Sequence, residues 1–228
     1  LDVSGPTITV RIDSKKHGID LGLAIDPGTG VEGFRIRQPA DTFAVAMPAA
    51  ARGAMNADDP SKARTLVGSA AVVHRWSNRP ESESVRRRDE VFARRGGVAL
   101  YVVATTSSDG TRRTTFDLRR GDEDTSSTSA EPLSYERDLL PGSDGGYPVA
   151  RSWHVPFVTA AGVRATLDGP LLRINPLDVL PQPFRFLLGL GGTPHRVWSN
   201  ATVRLPLDGG EVVDLDGIAV SSFARPER

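Results

Sequence analysis

The densest local gathering of chemically capable side chains in this sequence is Tyr147-Pro148-Val149-Ala150-Arg151-Ser152-Trp153-His154. In a pocket, Tyr147 and Trp153 would supply flat apolar walls, Arg151 would hold an anion, and His154 would move a proton near neutral pH. Tyr147, Arg151, Trp153 and His154 are therefore the candidate ligand-binding residues, and His154 is the one candidate for catalysis. The competing reading makes Trp153 a core anchor and His154 its hydrogen-bonded neighbour at a strand start, because Trp and Tyr are also common packing residues.

The remaining motifs read more simply as turns and surfaces. Gly28-Thr29-Gly30-Val31-Glu32-Gly33 has the spacing of a dinucleotide-binding loop, but Phe34-Arg35-Ile36-Arg37-Gln38-Pro39 follows with a strand pattern, so no helix dipole would face a pyrophosphate. His17, His74, His154 and His195 lack the close spacing of a metal pair, and no metal or cofactor is expected. No Gly-x-Ser-x-Gly elbow occurs; Ser143, among Gly142, Gly145 and Gly146, sits in a plain turn pattern. Asp214 and Asp216 would share one face of a strand as an acid–base pair does, yet after Gly209-Gly210 they fit the polar face of an edge strand. Arg86-Arg87-Arg88 is neutralised by Asp89-Glu90 and reads as a solvated helix face. Arg120-Gly121-Asp122 spells an attachment tripeptide without supporting context, and Asn200-Ala201-Thr202 is a glycosylation acceptor only on a secretory route.

Composition narrows the classes. Basic and acidic residues number 28 each, so no overall field draws the chain to nucleic acid or to an anionic membrane. Only Lys15, Lys16 and Lys62 are lysines; the other basic residues are arginines, which suit packed carboxylate pairs. The absence of cysteine excludes disulfides, thiolate metal sites and a thiol nucleophile. No apolar run approaches the roughly 18 residues of a membrane-spanning helix, so a soluble protein without membrane insertion is expected. An opening at Leu1 rather than Met is what processing, excision or tag removal would leave.

The elements that must position these residues are mainly strands. Period-two alternation marks Ile8, Val10 and Ile12, then Ile19, Leu21, Leu23 and Ile25, with shorter runs at 34–37 and 43–47. The clearest hairpin runs over 98–103, turns at Ser107-Ser108-Asp109-Gly110 and returns through Thr114, Phe116 and Leu118. A second joins Val203, Leu205 and Leu207 to Val212, Val213 and Leu215 through Asp208-Gly209-Gly210. Pro156, Pro170, Pro176, Pro181 and Pro183 break the stretch between them into short pieces. Asp59-Pro60 and Asn78 are helix-start signals, predicting two surface helices between residues 59 and 96. The stretch 121–132, acidic and rich in Ser and Thr, reads as a solvated loop and the weak point at which the chain would divide.

The expected fold is thus all-β: one domain over 1–228, an antiparallel sandwich or barrel of about eight to twelve short strands with about two surface helices. With no compact catalytic motif, the expected role is non-enzymatic: a structural or interaction domain, a component of a virion, phage particle or extracellular surface assembly, with a protein partner or its own copies. The alternative is a β-fold hydrolase, isomerase or small-ligand binder with its pocket near 147–154.

Overall fold

The computed structural model describes residues 2–4, 7–14, 19–26, 34–38, 42–57, 61, 63–76, 84–121, 123–129, 133–136, 138–141, 146–156, 158, 159, 161–189 and 194–226. The fold is mostly antiparallel β, with 68% of residues in strands against 8% in helix, as the alternation demands. Contacts divide the chain into two units, Leu1–Phe34 with Val45–His74, and Arg35–Ala44 with Arg75–Arg228.

The strands before residue 77 are β1 (Asp2–Ser4), β2 (Thr7–Ser14), β3 (Ile19–Asp26), β4 (Phe34–Gln38), β5 (Thr42–Ala57) and β6 (Arg64–Trp76). In the first unit, β2 and β3 pair so that Ile8, Val10 and Ile12 stand opposite Ile25, Leu23 and Leu21. Across them Arg11 and Asp20 form an exposed ion pair at 3.2 Å, which adds little stability.

The second unit holds β7 (Val85–Arg95), β8 (Val98–Ser107), β9 (Arg112–Arg120), β10 (Glu123–Ser129), β11 (Ser134–Tyr135), β12 (Ser152–Val155), β13 (Val163–Ile174), β14 (His195–Pro206) and β15 (Val212–Phe223). They form one sheet in the order β10-β9-β8-β7-β15-β14-β13-β12-β11, curled as a half-barrel. Its core is built by alternate residues of these strands, among them Val91, Leu100, Phe116, Trp153, Leu167 and Leu205. Both expected hairpins are present. Gly110 takes φ +89° beside Asp109, whose carboxylate accepts the Thr111 N–H at 2.8 Å. Gly209 and Gly210 take φ +84° and +86° between β14 and β15. Both are turn conformations that a Cβ disfavours.

Three expectations are corrected. The helices placed between 59 and 96 are strands β6 and β7. Thr65, Val67, Val72 and Val73 are β-branched residues of the kind strands favour, so the Asp59-Pro60 signal opened no helix through them. In β7, charges that looked solvated are buried, Arg87 to 8% and Asp89 to 2% exposure, and these two pair at 2.7 Å. The supposed loop at 121–132 contains β10, an edge strand of the sheet with Thr125 exposed. The strands are also more numerous and longer than expected, fifteen among the described residues and up to 16 residues in β5. The one α-helix described, α1 (Gln182–Gly189), follows a 3-10 turn at Pro176–Val179 whose first free N–H, that of Leu177, is capped by Asn175 at 2.9 Å.

Candidate functional site

Cross-strand registers fix what the inner face of the half-barrel presents. Phe223, Arg87, Thr106 and Arg112 form one row across β15, β7, β8 and β9, and Ser221, Asp89, Ala104 and Thr114 form the next. The two rows beyond, Ala219-Val91-Val102-Phe116 and Gly217-Ala93-Leu100-Leu118, carry no polar side chain. The face is thus polar at one end and apolar along the rest. In the tightest of these rows a Cβ on Gly217 would lie 2.2 Å from the Phe92 carbonyl oxygen, so only glycine lets β15 approach β7 there.

Asp89 is the hub of the polar end. Its Oδ2 accepts from Arg87 Nε at 2.7 Å and from the Tyr135 hydroxyl at 2.5 Å. Its Oδ1 accepts from Arg87 Nη2 at 3.2 Å and from Ser221 Oγ at 2.6 Å. Four donors on two oxygens satisfy a carboxylate that burial would otherwise destabilise severely. The Arg87 guanidinium also lies over the rings of Tyr135, at 5.0 Å, and Phe223, at 4.8 Å.

The Tyr135 bond requires the sheet to curl. β11 stands five places from β7 in the strand order, and at about 4.8 Å per place a flat sheet would separate them by roughly 24 Å. The hydroxyl reaches Asp89 because the sheet turns its far edge back over its middle. Tyr135 is held there by its pairing with Trp153 and by an edge-to-face ring contact with it, 6.3 Å between centroids at 85°.

A cavity of about 250 Å³ opens at this end, just below the usual size of small-molecule pockets. Arg87, Asp89, Ala104, Thr114, Leu133, Tyr135 and Glu136 line it. Leu139, Pro148 and Ala150 line it too, tied together by the Leu139–Ala150 bridge and the Leu140 N–H to Val149 carbonyl bond of 2.7 Å. Thr105, Thr106, Arg112 and Arg113 complete the lining. Glu136 is engaged by Arg164. Among the described residues no group of three or more metal-ligating side chains occurs.

The residues singled out in 147–154 are not brought together. Tyr147 is buried, stacked on His195 at 3.9 Å and 27° and set edge-on against Phe223. Trp153, 1% exposed, points into the core, and its Nε1 has no hydrogen-bond partner among the described residues. His154, next along β12, faces the opposite way and packs over Gly162, which at φ +71° has no Cβ to obstruct the ring. Arg151 is exposed, its backbone N–H donating to the Asp138 carbonyl at 2.8 Å. It is Pro148 and Ala150 of this segment that line the cavity. Asp214 and Asp216 are on an interior strand rather than an edge, opposite Arg204 and Arg94. His17, residues 28–33, Asp122 and Ser143 lie outside the described residues.

Tyr135 and Ser221 were not picked out from sequence, and Arg87 and Asp89 only as part of a solvated helix face. The one available signal was the Arg-x-Asp alternation at 87–89, which puts both side chains on one face if the segment is a strand.

No family model and no curated protein sequence matches the chain. Solved structures do resemble it. CghA with bound Sch210972 aligns with a TM-score of 0.59 at 13% identity, over 96% of this chain and 65% of that one. CghA described without that compound gives 0.58 at 13%, over 96% and 64%. A candidate AttH from Nitrosomonas europaea gives 0.59 at 14%, over 94% and 64%. The chain therefore spans slightly less than two thirds of the length of these neighbours. At such identity the likeness is one of fold. It overturns the expectation of a structural, virion or assembly module, because a solved neighbour of this fold carries a ligand. Among the described residues no helix is long and apolar enough to cross a membrane.

Proposed function

We propose that this chain binds a small organic molecule in the cavity at the polar end of the half-barrel, with the Arg87–Asp89–Tyr135 group as its rigid wall. The observation that carries the reading is that group itself. A carboxylate 2% exposed is held by four donors at the mouth of an otherwise apolar inner face, and its outermost donor, Tyr135, lines the cavity. Buried polar groups so completely satisfied keep their geometry without a ligand, which lowers the ordering cost of binding one. The apolar side chains that also line it, Leu133, Leu139 and Ala150, give a ligand body a surface to cover. CghA with Sch210972 supports the reading at the level of the fold. Asp89 serves in it as a positioning residue, its accepting positions being filled by Arg87, Tyr135 and Ser221.

The test is a fragment collection measured by saturation-transfer NMR against the native chain and against Leu139→Trp. Leu139 is 47% exposed, so the larger ring fills the cavity without disturbing the core. Fragments that bind the native chain should lose most of their signal with the variant. An unchanged hit list with Leu139→Trp would place binding elsewhere and end this assignment.

A further inference from the structure

The charges around the cavity specify the ligand more narrowly, on the reading that the cavity is the binding site. Two acids line it, and both are committed: Asp89 to Arg87, and Glu136 to Arg164. Neither is left to neutralise a cation. Arg112 is different. It shares the inner face with buried Thr114 and Phe116, two and four residues along β9, and it lines the cavity. No ion pair or hydrogen bond engages its guanidinium among the described residues.

Distance supports the same assignment. Arg112 stands two strand places from Arg87 in one row, with Thr106 between them, so the two guanidinium-bearing positions are about 10 Å apart. The Arg87 charge is cancelled by Asp89 on the spot; that of Arg112 is not, and Arg112 lines a cavity also lined by the apolar Leu133, Leu139 and Ala150. A neutral polar ligand would leave this charge unused, and a cation would be repelled by it. We infer that the ligand is a small molecule with a single carboxylate on a compact apolar body, the carboxylate received by Arg112 and the body lying toward Leu139. A planar guanidinium receives a carboxylate through two parallel hydrogen bonds, which fixes orientation as well as charge.

Phenylacetate and the near-isosteric, uncharged phenylacetamide separate charge from shape. Their dissociation constants would be measured by titration of the ¹⁵N-labelled native chain, at low salt and at about 0.5 M NaCl, where the screening length is only a few ångströms. Phenylacetate should bind about fivefold more tightly at low salt, in keeping with a partly exposed charge-assisted contact. High salt should shrink that advantage, Arg112→Gln should abolish it while leaving phenylacetamide binding unchanged, and Arg204→Gln, exposed on β14 and outside the cavity lining, should preserve it. Equal binding of the two compounds, or a preference that survives Arg112→Gln, overturns the carboxylate assignment. If both compounds bind equally and both are lost with Leu139→Trp, the cavity stands and only the anion class fails. If neither binds saturably, or both bind Leu139→Trp as well as the native chain, the cavity reading falls too.

Discussion

Replacing Asp89 with Asn is the perturbation whose effect the structure specifies most closely. The amide keeps the shape of the carboxylate, but one of its ends becomes a donor. With its NH₂ at the Oδ1 position, Ser221 can rotate to accept from it, while Arg87 Nη2 at 3.2 Å then faces another donor. The oxygen at the Oδ2 position keeps Arg87 Nε and Tyr135. What is lost is the countercharge to an arginine only 8% exposed. Removing one partner of a buried ion pair costs about 3–5 kcal/mol, and the two hydrogen bonds preserved place Asp89→Asn near the lower figure, about 3 kcal/mol. The assay is urea unfolding. With an m-value of about 3 kcal/mol per M, the midpoint should fall by roughly 1 M with little change in m. Replacing the whole pair, as Arg87→Met with Asp89→Leu, should recover most of the loss, because much of the single-variant cost is an uncompensated charge and not a missing attraction. A cost under about 1 kcal/mol for Asp89→Asn would refute the burial argument, and so would a double variant as unstable as the sum of the singles.

Three further outcomes follow from other parts of the molecule. Gly217→Ala drives a Cβ to within 2.2 Å of the Phe92 carbonyl oxygen and 2.7 Å of the Ala93 Cβ, so β15 must move away from β7; a loss of about 3 kcal/mol is expected by thermal unfolding. Trp153→Phe keeps an aromatic ring in the core and removes an indole N–H without a partner among the described residues; it should cost well under the roughly 3–5 kcal/mol expected of Trp153→Ala in the same unfolding assay. The Thr111 backbone N–H, which Asp109 accepts, lowers the Asp109 carboxyl below its ordinary 3.8. A depressed folded value means the turn gains stability from the ionised form above pH 3.8 and loses it as pH falls through the folded value. The Thr111 amide resonance should therefore titrate below pH 3.8, and Asp109→Asn should remove that titration.

Local pattern was enough to identify the class of the fold. Ile8, Val10 and Ile12 alternate with Thr7, Thr9 and Arg11 at the period of a strand, and Asp109-Gly110 and Gly209-Gly210 mark turns because few other residues tolerate those backbone angles. Such signals act between residues close in sequence, so the two hairpins were legible without coordinates. The reading of Tyr147, Arg151, Trp153 and His154 as one cluster shows where legibility ended. Neighbours along a strand point to opposite faces, so proximity in the chain sent Trp153 into the core and His154 over Gly162.

The segment 85–95 shows what only tertiary structure could decide. Its charges fit a solvated helix as well as a buried strand, and the choice depends on what stands opposite. Ser221 lies 132 residues from Asp89 and Tyr135 lies 46 residues from it, and both arrive through registers that no local pattern encodes. Once those donors are in place, the Asp89 carboxylate can be buried beside Arg87, and β7 becomes an interior strand instead of a surface helix. The sequence by itself determined that the chain would form antiparallel strands, since alternation and turn chemistry are local. The curl of the sheet, the burial of its charges and the cavity they border were decided by long-range pairing, because satisfying a buried charge requires partners from distant strands.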